Sequence, residues 1–332
     1  MRVSNWYKTL PFLLIFAFLI PIVAVWPQLG GTGLLSHPQW QQIKTIFIGI
    51  FLEALPFVLL GVFLSSLLQM FVKDEWIARW CPKNPILGVV FASCLGFLFP
   101  ICECGMIPVV RRLMLKGLPA HIAVTFILSG PILNPVVFAA TMMAFRSHSG
   151  ITYGRMGLTF AVAVLIGLMV YKLCRSNPLK RSLQEFSLQD GSEGGHRHDK
   201  TWSRFFVHAG DELIEMGKYV VLGVFLTSVI QSMIPRDELL ALGDGPLSSY
   251  GLMMGFAFIL SLCSTSDAFV ASAFSHVLSP GPLLSFLVLG PMLDFKSLLM
   301  LFATFKPKFV ISLSLLIIVL VFTGAVLADA LI

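Results

Sequence analysis

The chain has 332 residues, of which 57% are hydrophobic and only 12% charged, with a formal net charge of +6 and a mean hydropathy of +0.87. A soluble domain carries about a quarter charged residues. The composition therefore excludes an ordinary soluble protein and predicts an all-α polytopic membrane protein that contacts the lipid bilayer.

Apolar runs long enough to span a membrane recur along the chain. A helix needs about 20 apolar residues to cross about 30 Å of hydrocarbon. The first run follows Arg2 and Lys8, lacks a small-x-small cleavage site, and is interpreted as an uncleaved first helix. The predicted apolar segments are 10–29, 43–72, 119–145, 156–174, 212–234, 281–304 and 309–331.

Part of the sequence occurs twice. "LGVFLSSLLQ" at 60–69 returns as "LGVFLTSVIQ" at 222–231. Other matched pairs are Glu53 with Glu215, Cys102 with Cys263, and Asn134 with Asp294. The offset stays between 160 and 162 residues throughout, so the sequence predicts two copies of one structural unit.

Basic residues predict how the two copies are oriented, because cytoplasmic loops carry an excess of Lys and Arg. If 86–117 enters the membrane and returns as a hairpin, only Lys44, Arg146, Arg155 and Arg236 lie outside. If 86–110 spans while 248–278 remains a hairpin, the basic 172–204 loop falls outside and the asymmetry is lost. The first arrangement makes the second copy inverted, as in secondary transporters. Whether 86–117 and 248–279 are re-entrant or spanning stays open.

These observations divide the chain into a predicted series of segments. The fold expected is two inverted repeats, each with a re-entrant or broken-helix hairpin, plus extra transmembrane helices. The segments are 1–42 (first transmembrane helix and periplasmic loop), 43–145 (repeat 1), 146–174 (linking transmembrane helix), 175–211 (flexible cytoplasmic linker), 212–304 (repeat 2) and 305–332 (last transmembrane helix).

Two polar stretches interrupt the apolar hairpins. The first tip is "CECG" at 102–105, between Pro100 and Pro108, and the second tip is "CSTSD" at 263–267. Proline at 100 and 108 and glycine at 105 are expected to prevent regular helix and to free backbone groups. An ionisable residue inside a membrane is a functional candidate by default. The predicted solute-pathway residues at these tips are Cys102, Glu103, Cys104, Cys263, Ser264, Thr265 and Asp267.

A second pair of breaks adds two candidates to the pathway. "SGPILNP" and "LGPMLDF" place Gly-Pro shortly before Asn134 and Asp294. Since proline kinks a helix, the amide and the carboxylate are expected at matched positions that point into the interface between the halves. The alternative is structural: Asp294 and Lys296 pair with each other, or with Glu215 and Lys218.

The motifs that would indicate catalysis are absent from the sequence. No Gly-x-x-x-x-Gly-Lys-Ser/Thr occurs, nor a Ser/His/Asp or His-Glu-x-x-His constellation. The chain is therefore expected to be no enzyme, to need no cofactor and to bind no nucleic acid. Movement of a solute would be driven by an ion gradient, the membrane potential, the solute's own gradient or a partner.

The stretch "FPICECGMIPVVRRLMLKGLPAHIAVTFILSGPILNP" at 99–135 resembles the signature of the bacterial predicted-permease family that includes the YraQ-like proteins and the arsenical permease ArsP. The resemblance covers about 43–331 and implies a multi-pass permease of the cell inner membrane. For the ArsP branch it implies export of trivalent organoarsenicals. Thiols suit such soft species, which would make Cys102 and Cys104 ligands of a metalloid, with Cys263 as a third.

Two functions therefore follow as expectations. One is a secondary permease that exports a soft metalloid solute. The alternative is a permease subunit for another solute, such as a divalent metal or small ion, that acts with a separately encoded membrane protein. A membrane scaffold without transport is disfavoured by the polar tips of the inverted repeat.

Overall fold

A computed structural model describes residues 38–71, 84–98, 102–146, 148–173, 178–179, 201–233 and 245–330. The predicted first helix at 10–29 and most of the predicted 175–211 linker lie outside these residues. The described part of the chain is all-α, with a single isolated antiparallel bridge between Leu179 and Phe305.

The first half contains two long helices with four shorter ones between them. In chain order they are α1 (Pro38–Phe71), α2 (Pro85–Leu98), α3 (Glu103–Leu115), α4 (Ala120–Ser129), α5 (Pro135–Ala144) and α6 (Ser149–Leu173).

The second half repeats this order of long and short helices. They are α7 (Thr201–Met233), α8 (Pro246–Leu260), α9 (Ser266–Ser272), α10 (Pro280–Met292), α11 (Phe295–Thr304) and α12 (Pro307–Asp329). Helix α7 begins at Thr201, so residues 201–211, which the sequence analysis assigns to the linker, are helical.

Both predicted Gly-Pro breaks occur in the structure. The apolar segment 119–145 is divided into α4 and α5 between Gly130 and Asn134, and the segment 281–304 is divided into α10 and α11 at 293–294. A proline removes one helical hydrogen bond and crowds the preceding turn, which favours a break at this point. Each break frees backbone groups that the next helix must cap.

The expectation that Gly105 and Pro108 prevent regular helix is wrong. Both residues lie inside α3, which begins at Glu103 directly after the extended residue Cys102. Pro108 has no N–H, so the carbonyl of Cys104 loses its α-helical partner while the remaining rungs of the helix are retained. The chain break therefore lies before Glu103.

Four helical segments are long and apolar enough to cross a membrane within the described ranges: Trp40–Leu67, Ser149–Leu173, Pro280–Thr304 and Pro307–Asp329. Shorter apolar helices, such as Ala120–Ser129 and Leu247–Leu260, pack among them. The protein is thus a multi-pass membrane protein.

The helices pack in corresponding pairs in the two halves. Helix α4 packs on α2 and α6, as α10 packs on α8 and α12. Helix α3 contacts α11 of the second half, and α9 contacts α5 of the first. These contacts between the two halves are compatible with two inverted repeats, whose orientation in the membrane stays a prediction. They also bring each tip against the broken helix of the other half.

Candidate functional site

The first tip begins at Cys102, the last extended residue before α3, with φ of −72° and ψ of 167°. Its carbonyl accepts from the backbone N–H groups of Gly105 and Met106, which starts the helix. Glu103 therefore occupies the first turn, where a carboxylate is favoured by the helix dipole. Glu103 is 3% exposed, Cys104 is buried and hydrogen-bonded to Cys102, and Cys102 is half-buried.

Lys296 joins the first tip to the second half of the chain. Its Nζ lies 3.3 Å from Oε1 of Glu103 and 3.4 Å from Oδ2 of Asp294. The same ammonium donates to the carbonyl of Ser261 at 3.3 Å. Ser261 ends α8 with a φ of 47°, a conformation that non-glycine residues rarely adopt and that turns this carbonyl away from the helix. These groups form the Lys296 cluster: Glu103, Asp294, Lys296 and the Ser261 carbonyl.

The second tip places its hydroxyl and thiol groups together. The Sγ atom of Cys263 lies 3.0 Å from Oγ1 of Thr265 and 3.2 Å from Oγ of Ser266. Ser266 in turn donates to Oε1 of Glu53 on α1 at 3.1 Å. A carboxylate from the first half thus contacts the start of α9 in the second half.

Arg155 holds the second tip through a set of short bonds. Its guanidinium donates to Oδ2 of Asp267 at 2.8 Å, to the carbonyl of Ser264 at 3.0 Å and to Oγ1 of Thr141 at 2.9 Å. Arg155 is fully buried, and Asp267 is 2% exposed. These groups form the Arg155 cluster: Thr141, Arg155, Asp267 and the Ser264 carbonyl. It links α5, α6 and the second tip.

Asn134 and Asp294 lie at matched positions as predicted, and each caps the helix that follows it. Asn134 accepts from the backbone N–H of Val137 at 2.8 Å, and Asp294 accepts from that of Ser297 at 2.6 Å. An oxygen at this position satisfies a backbone donor that the helix itself leaves free. The two halves differ beyond the cap, because only Asp294 also faces a cation, Lys296.

Eight of the nine predicted residues thus fall into two groups, and Asn134, which caps α5, belongs to neither. Cys102, Glu103, Cys104 and Asp294 surround Lys296, whereas Cys263, Ser264, Thr265 and Asp267 surround Arg155 or its neighbours. The alternative of an Asp294–Lys296 pair is present, with Glu103 as a further partner. Within the described ranges, no three His, Cys, Asp or Glu side chains converge as metal ligands, so Cys263 does not join the other two thiols.

A cavity of about 260 Å³ lies elsewhere in the described structure, between α1 and α7. Apolar side chains such as Phe51, Leu55 and Leu213 line it, together with Lys218. None of the predicted tip residues lines this cavity. The candidate site is therefore the pair of tips with their charged clusters.

Arg155 is the residue that sequence reasoning missed. The distribution of basic residues predicts only that Arg155 lies on the outer side, although the sequence contains a signal for its role. Arg155 lies within Ser149–Leu173, a segment otherwise apolar enough to span the membrane, and an arginine there demands a buried partner. Glu53 carries the same kind of signal within Trp40–Leu67.

Comparison with known proteins is consistent with this architecture. Residues 39–330 match a family described as "Predicted permease". The chain is 44% identical over 298 residues to the UPF0718 protein YcgR of Bacillus subtilis, covering 88% of this chain and 98% of that protein. It is 35% identical over 273 residues, 81% of this chain and 89% of the relative, to a Streptococcus mutans protein named "Putative two-component membrane permease complex subunit". It is also 23% identical over 275 residues to the UPF0718 protein YraQ of Escherichia coli, covering 81% and 75%. No solved structure matches it.

Proposed function

The chain belongs to the predicted-permease family, and we propose that it moves a soft, uncharged or cationic solute across the cell inner membrane through its two tips. Trivalent organoarsenicals are the substrate class that this proposal names. The observation that carries it is the first tip, where the Cys102 and Cys104 thiols flank a buried glutamate at a helix break.

The position of the tips supports a solute pathway. Helices that break inside the membrane expose backbone and polar groups that must face protein or a water-filled path. Each tip here contacts the broken helix of the opposite half, through Lys296 in one case and through Arg155 in the other. Secondary transporters place their solute sites at such meetings of discontinuous helices.

The charge of the tips selects among solutes. Glu103, Asp267 and Asp294 are acidic, and two cations, Lys296 and Arg155, lie against them. The surplus of negative charge opposes an anion and favours an uncharged or cationic species. Two neighbouring thiols add a preference for soft atoms, and two sulfurs suffice for a methylated trivalent arsenic species.

A transport assay in everted membrane vesicles tests this proposal with methylarsenite as the probe. We expect wild-type vesicles to accumulate it and the Cys102→Ser/Cys104→Ser double variant to lose accumulation, because serine keeps the size of cysteine but lacks its affinity for soft atoms. Cys94→Ser is the matched control, because Cys94 is an exposed free cysteine on α2. It should transport as wild type does.

Glu103→Gln separates the thiol role from the carboxylate role. If the double serine variant retains full transport and Glu103→Gln is inactive, the transported solute is another small ion and not a soft metalloid. If both variants keep full activity toward a verified solute, the first tip is not part of the solute pathway.

A second candidate function is that of a subunit that transports only with a separately encoded membrane protein. The name of the Streptococcus mutans relative, a two-component membrane permease complex subunit, favours it. The test is purification of this chain alone and its reconstitution into liposomes. Methylarsenite transport at the rate per molecule seen in cell membranes would contradict the need for a partner.

A further inference from the structure

We propose that the cavity of about 260 Å³ between α1 and α7 binds the organic substituent of the solute and selects a group of the size of a benzene ring. This inference rests on the proposed permease function and adds that the preferred solute carries an apolar group larger than methyl. It follows from the correspondence of the cavity walls in the two halves, from the position of the cavity beside the first tip and from the chemistry of its lining.

The cavity lies where the two copies of the sequence repeat meet. Most of the residues that line it form pairs at the repeat offset of 162 residues, among them Phe51 with Leu213, Leu55 with Gly217 and Val58 with Val220. A space walled by equivalent residues of both copies lies close to the axis that relates them. Transporters built from repeats bind their solutes at this interface between the copies.

The cavity also lies at the middle of both long helices. Leu55 is at the centre of Pro38–Phe71, and Gly217 is at the centre of Thr201–Met233. Because Trp40–Leu67 is long and apolar enough to cross the membrane, its middle lies near the middle of the bilayer. This is the depth at which repeat-built transporters bind their solutes.

The first tip is one helical turn away from the cavity. Gly61 follows Val58 by three residues on α1, which corresponds to about 4.5 Å along the helix. Gly61 lies so close to the backbone of Gly105 that a Cβ at Gly61 would collide with it. Gly105 is next to Cys104, which belongs to the same buried core cluster as Val58 and Val220. A solute held by the thiols of the first tip would therefore have the cavity within reach of its organic group.

The lining of the cavity favours an apolar ring. Aromatic and aliphatic side chains such as Phe51, Leu59 and Val221 line it, together with Lys218. An apolar cavity of about 150 Å³ suffices to bind benzene, so the larger volume here accommodates a ring of that size. An ammonium group is attracted to the face of an aromatic ring, so Lys218 favours an aryl group over the acyl chain of a lipid.

Gly217 is the residue at which the two walls of the cavity differ most. Its counterpart in the first half is Leu55, so the second half lacks a leucine side chain at this level. A Cβ at Gly217 meets no atom within 4 Å, which leaves room for a larger side chain at the cavity wall. Since protein interiors are close-packed and an empty space costs stability, a bound apolar group offsets this cost.

Transport in everted vesicles tests the cavity with two probes, phenylarsenite and methylarsenite, which differ only in the organic group. We expect Gly217→Leu to lower the ratio of phenylarsenite to methylarsenite transport at least about tenfold, because leucine occupies space that the ring needs. Gly217→Ala should lower the ratio less.

Gly49→Leu is the matched control for these variants. Gly49 is an exposed glycine on α1 that does not line the cavity, and a Cβ there also meets no atom within 4 Å. Its variant should keep the wild-type transport ratio. Size-exclusion elution identical to that of the wild type shows that Gly217→Leu is folded, and Gly217→Ala provides the test if it is not.

Photolabelling of the full chain in lipid tests the same cavity without transport. The probe is trifluoromethyl-phenyldiazirine, an apolar ring that attaches to neighbouring residues on illumination. We expect more label on residues 51–59 and 213–221 than on lipid-exposed side chains of α12, such as Leu315 and Leu327. Excess toluene should displace this label, and Gly217→Leu should lose it.

The two experiments separate failure of the cavity from failure of the proposed function. An unchanged transport ratio in Gly217→Leu, or equal label on the cavity and on α12, would overturn the cavity proposal. Labelling of the cavity by a lipid with a diazirine in its acyl chain, undiminished by excess toluene, would assign the cavity to lipid and overturn it as well.

The wild type decides the remaining cases. If it moves methylarsenite but no phenylarsenite, the cavity proposal fails and the permease function stands. If it moves neither arsenical, the proposed substrate fails, and the label that toluene displaces still decides whether the cavity binds an apolar ring.

Discussion

The Arg155 cluster and the Lys296 cluster join the same kinds of element in two different ways. In each, a cation ties a carboxylate in the first turn of a tip helix to the opposite half of the chain. The planar guanidinium group of Arg155 contacts the Asp267 carboxylate at 2.8 Å and donates to two further acceptors, Oγ1 of Thr141 and the carbonyl of Ser264. Lys296 divides one ammonium between two carboxylates at 3.3 and 3.4 Å.

This difference indicates that the Arg155 cluster is the tighter connection between the two halves and the Lys296 cluster the looser one. The Arg155–Asp267 pair is electrically balanced and bonded in several directions, which suits a connection that holds the second tip in place. The Lys296 cluster has two carboxylates for one ammonium, and its contacts are longer, so it is expected to hold the first tip less tightly. We infer that the second tip is held more rigidly than the first tip.

The largest effect is expected from Arg155→Leu. It leaves Asp267 buried without its cation, which typically costs about 3–5 kcal/mol. Thermal unfolding of the purified chain in detergent measures the loss. The Arg155→Leu/Asp267→Leu double variant should recover a large part of it, because a buried pair replaced by apolar groups leaves no lone charge. A single variant as stable as the wild type would show that the Arg155 cluster is not a structural connection.

Lys296→Met should lower stability less, by about 2 kcal/mol, because the contacts of Lys296 with Glu103 and Asp294 are longer and therefore weaker than those of Arg155. Methylarsenite transport in vesicles should nevertheless be lost, whereas Lys296→Arg should keep part of the stability. If Lys296→Met destabilises the chain as much as Arg155→Leu does, the two clusters do not differ in the way proposed.

Two glycines at matched positions in the halves allow the packing around the two tips to be compared at the backbone. Gly61 and Gly223 occupy equivalent positions in the sequence repeat. A Cβ at Gly61 would collide with the backbone of Gly105 in the first tip helix, while one at Gly223 would lie 3.2 Å from the Cα of Lys296. We expect Gly61→Ala to cost about 1–3 kcal/mol and Gly223→Ala about 1 kcal/mol or less.

Thermal unfolding of the two alanine variants, measured side by side, provides the check. Gly49→Ala is a control on α1, because a Cβ at Gly49 meets no atom within 4 Å. An equal loss for Gly61→Ala and Gly49→Ala would contradict the close approach of α1 to the first tip.

The smallest effects are expected at the helix caps. Asn134→Ala removes a cap and should cost about 1 kcal/mol, whereas Asn134→Ser keeps a capping oxygen and should cost less. Asp294→Asn likewise keeps the cap of α11 but removes the charge that faces Lys296. We expect Asp294→Asn to reduce transport more than stability and Asn134→Ser to affect neither. Wild-type transport by Asp294→Asn would limit Asp294 to its role as a cap.

Much of the fold was predictable because its signals are local. Apolar length identified the spanning helices, and Gly-Pro followed by a capping residue identified the breaks before Asn134 and Asp294. The duplication of "LGVFL" placed the two halves in correspondence. One wrong expectation concerned Gly105 and Pro108, because packing against neighbouring helices overrides the cost of these residues to the helix.

The composition and the local pattern by themselves determined that this is an all-α membrane protein with polar breaks in both halves. Only the tertiary structure decided which cation meets which carboxylate. Lys296 lies 193 positions from Glu103, and Arg155 lies 112 positions from Asp267. A buried charge requires an opposite charge, but any of several could supply it, so the sequence left the choice open. The choice follows from the packing of α3 on α11 and of α9 on α5, which brings residues from distant parts of the chain within bonding distance.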